Sequence, residues 1–141
     1  MTFAAAGAHP AEAGQTAPIA VACTESALRT AIGQANAAGG GTITFTCRDT
    51  TIASTLGLGD ITDNVVIDGE DRNITLAYTG AFTGCDVGDN GVGGPPIGRM
   101  RGQRSIIRHL TFRNFLESLQ ISGPENTVEN NVFLAHSCSD D

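Results

Sequence analysis

The chain has 141 residues and a formal charge of −7, with 40% hydrophobic and only 16% charged residues. That balance suits one folded domain and excludes whole-chain disorder. The acidic surplus argues against nucleic acid as a partner, because phosphate binding needs a clustered positive surface. The 18 glycines, the absence of Trp and the abundance of Val, Ile, Thr and Asn favour short strands joined by tight turns over a helix bundle.

No hydrophobic run is long enough to span a membrane. Residues 1–21 are rich in Ala and Gly and contain neither Lys nor Arg, so they lack the basic start of a secretory signal and read as a flexible leader. Organised structure is expected over residues 22–141. From Thr24 to Asn36, Ala27, Leu28, Ala31, Ile32 and Ala35 recur at helical spacing; Thr24 is placed to cap the start, and Gly39 to Gly41 to stop the helix. The single apolar stripe needs cover, and Thr42 to Cys47 (TITFTC) immediately supplies an alternating strand. Cys23 precedes the helix and Cys47 ends that strand, so a disulfide between them is expected to staple a small domain with little core. Such a bond favours an oxidising compartment, secreted or at the cell surface.

Further strands are predicted from Thr50 to Ser54, Asn64 to Asp68, Ile74 to Tyr78, Ser105 to Phe112, Ser118 to Ser122 and Asn126 to Phe133. Aligning Ile107 to Phe112 on Val128 to Phe133 gives a repeat of twenty-odd residues. Asn64, Asn73, Asn126 and Asn131 recur at the start of strand-like runs, Asn64 and Asn131 directly before an apolar triplet, which suggests stacked turns rather than a sandwich. Between Gly80 and Arg104 the pattern gives way to a Gly- and Pro-rich excursion. Asp86, Asp89 and Asn90 in it resemble part of a calcium loop, but their spacing does not match an EF-hand. Cys85 and Cys138 either pair or stay free, and with His109 and His136 they give no zinc spacing.

All eight basic residues are Arg, and Arg99, Arg101, Arg104, Arg108 and Arg113 fall in one short stretch. They form either an anion-facing patch in an acidic protein or a set of arginines paired with nearby carboxylates.

The segment from Cys23 to Cys47 (CTESALRTAIGQANAAGGGTITFTC) resembles the amino-terminal cap of secreted bacterial right-handed parallel β-helix proteins of the pectin-lyase-like superfamily. NVVIDG from Asn64 and IIRHLTFRNF from Ile106 are similar to strands of that superfamily, so the resemblance runs from Cys23 to the last residue. It implies an all-β, single-stranded parallel β-helix with an amphipathic capping helix, here apparently without its C-terminal coils. The end is similar to a pectate-lyase terminal motif. Glu117 stands at the acidic place before an apolar strand; Cys138 and Asp140 match a Cys-Glu-Asp step, with Ser139 where the family has Glu and Asp141 directly after.

What the resemblance implies is a secreted protein that binds acidic polysaccharide and cleaves it by calcium-assisted β-elimination. Carboxylates at matching places in consecutive coils converge on one face, so Glu117, Asp140 and Asp141 are the expected calcium ligands. The base in such lyases is commonly an Arg, for which Arg108 and Arg113 are the candidates, though neither matches a family motif for that role. The family's basic residue would lie beyond Asp141, so this chain alone is expected to be inactive. The alternative is a non-catalytic β-helix, an adhesin or surface scaffold segment. In either case the last strands, with Val128, Val132 and Phe133, are expected to offer an open edge for self-association.

Overall fold

The structure, a computed structural model, describes residues 17–80, 96–115 and 119–134. The described residues form mostly strands in parallel sheets, with one helix among them. Strand β1 (Ile19–Val21) leads into helix α1 (Glu25–Ala37). Then come β2 (Gly41–Phe45), β3 (Thr50–Ser54), β4 (Asp60–Ile61), β5 (Val65–Asp68) and β6 (Ile74–Tyr78). After these follow β7 (Arg99–Met100), β8 (Ile106–Arg108), β9 (Leu110–Arg113), β10 (Gln120–Ile121), β11 (Thr127–Glu129) and β12 (Val132–Leu134).

Three parallel sheets result: a five-stranded sheet ordered β1-β2-β5-β8-β11, a four-stranded sheet ordered β3-β6-β9-β12 and a three-stranded sheet ordered β4-β7-β10. From β2 onward the chain visits them in that sequence, and each returning strand pairs with the one laid down a circuit earlier. Period-two alternation explains what each strand buries. In the five-stranded sheet Ile43, Ile67 and Ile107 lie in register, continued by Val128, and the three isoleucines are completely buried. In the four-stranded sheet Ile52, Leu76 and Phe112 form a second buried column that ends on Phe133. Ile61 and Met100 begin a third, which ends on Ile121. Each fully buried member contributes about 1.5–3 kcal/mol of transfer free energy, so like-on-like stacking of aliphatic residues is what fixes the register.

Helix α1 closes one end of these columns. Leu28, Ala31, Ile32 and Ala35 are buried on its apolar stripe, and it touches β1, β2, β3 and β5. Thr24 caps it, its Oγ1 accepting from the Ala27 N–H at 3.2 Å. The Cys23–Cys47 disulfide, with Cα atoms 6.2 Å apart, ties the residue before the cap to the end of β2. Glu25 reaches from the first turn to the β3–β4 corner, accepting from the N–H groups of Thr55 at 2.8 Å and Leu56 at 3.1 Å and from the hydroxyls of Ser54 and Thr55.

Three expectations need correction. Residues Ile19–Val21, expected within the leader, form β1 in parallel register with Ile43, Thr44 and Phe45. A three-residue strand carries too little pattern to stand out in an Ala-rich segment, yet its Val21 is buried. The single strand expected from Ser105 to Phe112 is two, because His109 adopts φ 59° and turns the chain from one sheet to the next. Asn130, at φ 53°, divides the strand expected from Asn126 to Phe133 in the same way. The short strands β4 and β7 fall below the length at which alternation is readable.

Candidate functional site

The arginine-rich circuit lies between two others, and Arg99, Arg104 and Arg108 in it are engaged on both sides. Three columns repeat one arrangement. Arg99 donates from Nε to Gln120 Oε1 at 3.2 Å and stands 4.0 Å from Asp60, which Arg101 approaches to 3.1 Å. Arg104 donates from Nε to Asn64 Oδ1 at 3.1 Å and lies 3.8 Å from Glu125 on the other side. Arg108 donates from Nε to Asp68 Oδ2 at 2.8 Å and lies 3.7 Å from Glu129. In each case an acceptor of the circuit before and an acceptor of the circuit after hold an arginine between them. The arginines therefore link circuits instead of facing a ligand together.

The third column carries the most chemistry. Asp68 ends β5 with only 13% of its side chain exposed, and its Oδ1 accepts from the Glu70 N–H at 2.8 Å. The same oxygen is 2.7 Å from Nδ1 of His109. Burial pushes the Asp68 carboxyl up, but the hydrogen bonds from His109, Glu70 and Arg108, together with the charge of Arg108, outweigh it and leave the group below the usual carboxylate range. An ionised carboxylate can only accept, so Nδ1 carries the proton and Nε2 is the nitrogen left to accept one. His109 is 38% exposed, so this oriented imidazole sits at the surface. Its backbone is left-handed at φ 59°, a conformation that costs a non-glycine residue about 1–2 kcal/mol. The preceding circuit accommodates it at Gly69, where any Cβ would collide with the His109 carbonyl oxygen. Arg104 and Glu125 are likewise left-handed at φ 57° and 59°, so the strained corners coincide with cross-circuit contacts.

The sequence-derived candidates fall in different places. Arg108 belongs to this cluster, where hydrogen bonding to Asp68 and its negative charge raise the guanidinium above its already high pKa. That is the opposite of what a proton acceptor needs. Arg113 ends β9 in the four-stranded sheet and is exposed, whereas Arg108 ends β8 in the five-stranded sheet. Glu117, Asp140 and Asp141 lie outside the described residues, as do Cys85, Cys138, Asp86, Asp89 and Asn90. Among the described residues no group of three or more His, Cys, Asp or Glu side chains is arranged to hold a metal ion. Asp60, Asp68, His109, Glu125 and Glu129 were not anticipated. For Glu125 and Glu129 the signal was present: the offset of 21 that aligns Ile107 with Val128 also sets Arg99 on Gln120, Arg104 on Glu125 and Arg108 on Glu129.

A depression of about 350 Å³ lies between Arg29, Gly33 and Asn36 of α1 and the segment from Leu58 to Asp60. Its guanidinium is committed to the carbonyls of Leu56 and Gly57, at 3.3 and 3.0 Å, and its amide to Asp60 and Thr62. Comparison with family models, curated proteins and solved structures finds no match for this chain.

Proposed function

We propose that the chain is a right-handed parallel β-helix, closed at one end by α1, whose coils serve as a stiff, non-catalytic scaffold of a secreted or surface protein. The order in which the chain visits its three sheets supports the helical winding, and right-handed connection between parallel strands is the strongly preferred hand. The observation that carries the scaffold reading is the use of the arginines: Arg99, Arg101, Arg104 and Arg108 are matched by acids of adjacent circuits, which holds the stack together and leaves little positive surface for an acidic polymer. The Cys23–Cys47 bond supports an oxidising location. Affinity electrophoresis in gels containing polygalacturonate tests the reading. Unretarded migration, with and without calcium, is expected, and retardation that disappears in Arg108→Ala would contradict it.

One observation favours a second reading, the pectate-lyase-like one. The Asp68-oriented imidazole of His109 stands at the surface beside Arg108, and uronate β-elimination needs a proton acceptor next to a cation that faces the carboxylate. In that reading Arg108 and Arg113 face acidic polysaccharide, and Glu117, Asp140 and Asp141 hold calcium. An assay for unsaturated uronate on polygalacturonate, run with and without calcium, tests it. Activity that is lost in His109→Ala would establish it over the scaffold.

A further inference from the structure

The groove beside α1 differs from the rest of the stack in how its charge is matched. Every described arginine from Arg48 to Arg108 stands within 4.0 Å of a carboxylate, whereas Arg29, half-buried in the groove wall, has no acidic partner among the described residues. Its Nη1 donates to the Leu56 and Gly57 carbonyls at 3.3 and 3.0 Å. Those bonds fix the guanidinium and leave Nη2 and Nε, the side-on pair of donors that a carboxylate takes. Glu25, one turn earlier on α1, does not pair with it, because its carboxylate is taken by the donors of Ser54, Thr55 and Leu56.

Two glycines keep the groove open. At Gly59, with φ 79° less one degree of the ideal turn aside at 78°, a Cβ would stand 3.1 Å from Arg29 Nη1 and 3.4 Å from Nη2, so a side chain there would press on the guanidinium. Gly33 lies inside α1, where glycine is the least favourable residue short of proline. Packing does not demand it, since a Cβ at Gly33 would meet nothing within 4 Å, and yet Gly33 lines the groove. The result is a depression of about 350 Å³, at the small end of the range for small-molecule sites. The buried Ile32 and Leu58 give it an apolar lining, and Asp60 a polar one. Asp60 is already matched in charge, with Oδ1 3.1 Å from Arg101 and 4.0 Å from Arg99, so Arg29 is the charge left over.

We propose that this groove binds a small organic carboxylate that carries a hydroxyl. The acid group takes Nη2 and Nε of Arg29, the carbon body lies on Ile32, Gly33 and Leu58, and the hydroxyl donates to Asp60, whose carboxylate can only accept. The proposal goes beyond the scaffold reading and does not depend on it, because α1 and the segment from Leu56 to Asp60 build the groove by themselves.

The probe is β-hydroxybutyrate, titrated into the full isotope-labelled chain and followed by amide shifts. Butyrate, which lacks the hydroxyl, and butanediol, which lacks the acid, are titrated beside it. Saturable shifts at Arg29, Thr30, Gly33, Gly59 and Asp60 are expected, with affinity about threefold weaker for butyrate and about tenfold weaker for butanediol. Gly33→Leu should raise the urea midpoint, because leucine suits a helix interior, and should still weaken β-hydroxybutyrate about tenfold by filling the groove. A glycine kept for structure alone would not give that opposition. Arg29→Gln should weaken binding about tenfold as well. Since Arg29 also holds the Leu56–Gly57 corner, Gly33→Leu, which leaves those bonds in place, keeps the test readable if Arg29→Gln fails to fold. Binding unchanged in Gly33→Leu, butanediol bound as tightly as β-hydroxybutyrate, shifts of equal size at the exposed Arg113, or no saturable shift with any of the three would each overturn the proposal.

Discussion

At the α1 end of the stack Val21, Ile43 and Phe45 are 5%, 0% and 2% exposed, whereas at the other end Ile121, Val132, Phe133 and Leu134 retain 52%, 51%, 50% and 49% of their surface. The strands at the two ends are of the same kind. A circuit buries its inward residues only when something lies on both sides of it, and among the described residues the difference is one of cover: α1, β1 and the Cys23–Cys47 bond at one end, and the circuit below at the other. Phe112 and Phe133 make the contrast within one column. They are neighbours in register with ring centroids 5.4 Å apart, yet Phe112 is 1% exposed and Phe133 50%.

The sharpest way to break this comparison is to truncate both rings. Phe112→Ala is expected to cost about 3–5 kcal/mol, the range for a large side chain removed from a packed interior. Phe133→Ala should cost no more than about 1.5 kcal/mol, because half of its surface is already in water. Chemical denaturation of both variants measures the gap, and equal losses would mean that the open end is covered in solution.

Next in size is the staple. Replacing Cys23 and Cys47 together by Ser should cost about 3 kcal/mol, the chain-entropy value for a loop of this order, given a sequence separation of 24. Reductant should bring the wild type down to the same stability and leave the double variant unmoved. A smaller effect is expected from Glu25→Gln, which weakens the acceptor for the donors of Ser54, Thr55 and Leu56 and should cost about 1–2 kcal/mol.

The smallest effect concerns pH. Burial pushes the carboxyl groups of Asp68 and Glu25 up, but hydrogen bonds outweigh it and leave both below the usual range when folded. A depressed folded pKa adds stability that is fully present above the unfolded value, near 4 for a carboxylate, and is lost as pH falls through the folded pKa. Stability should therefore be flat through neutral pH and decline below about 4. Asp68→Asn should make that acid limb shallower, as read from urea midpoints at several pH values.

Much of the fold was legible because its signals are local or strictly periodic. Thr24, the Leu28/Ile32 stripe and the glycines after it delimit α1 to within a residue, and the offset between Ile107 and Val128 is the register of β8 on β11. The corners were less readable. Asn64 and Asn73, with left-handed backbone, mark them by a residue type that tolerates φ above zero, but Arg104 and Glu125 occupy equivalent conformations without any such preference. Tertiary contacts with neighbouring circuits hold them there, and a single-strand reading cannot see those contacts. Asn126 and Asn131 do another job: their side-chain amides bridge to Ser105 and Gly102, and to Leu110 and Ile107, across circuits. The Asp68–His109 pair was hidden because its members lie 41 residues apart, separated by the Gly- and Pro-rich segment that interrupts the repeat.

The central claim is that successive circuits stack in parallel with like residues in register, and methyl NOEs measure it directly. With Ile, Leu and Val methyls labelled, Ile67 should give cross-peaks to both Ile43 and Ile107, and Ile107 should give a further one to Val128. An Ile67 that shows neither neighbour, or that meets them in antiparallel order with its flanking residues, would contradict the account.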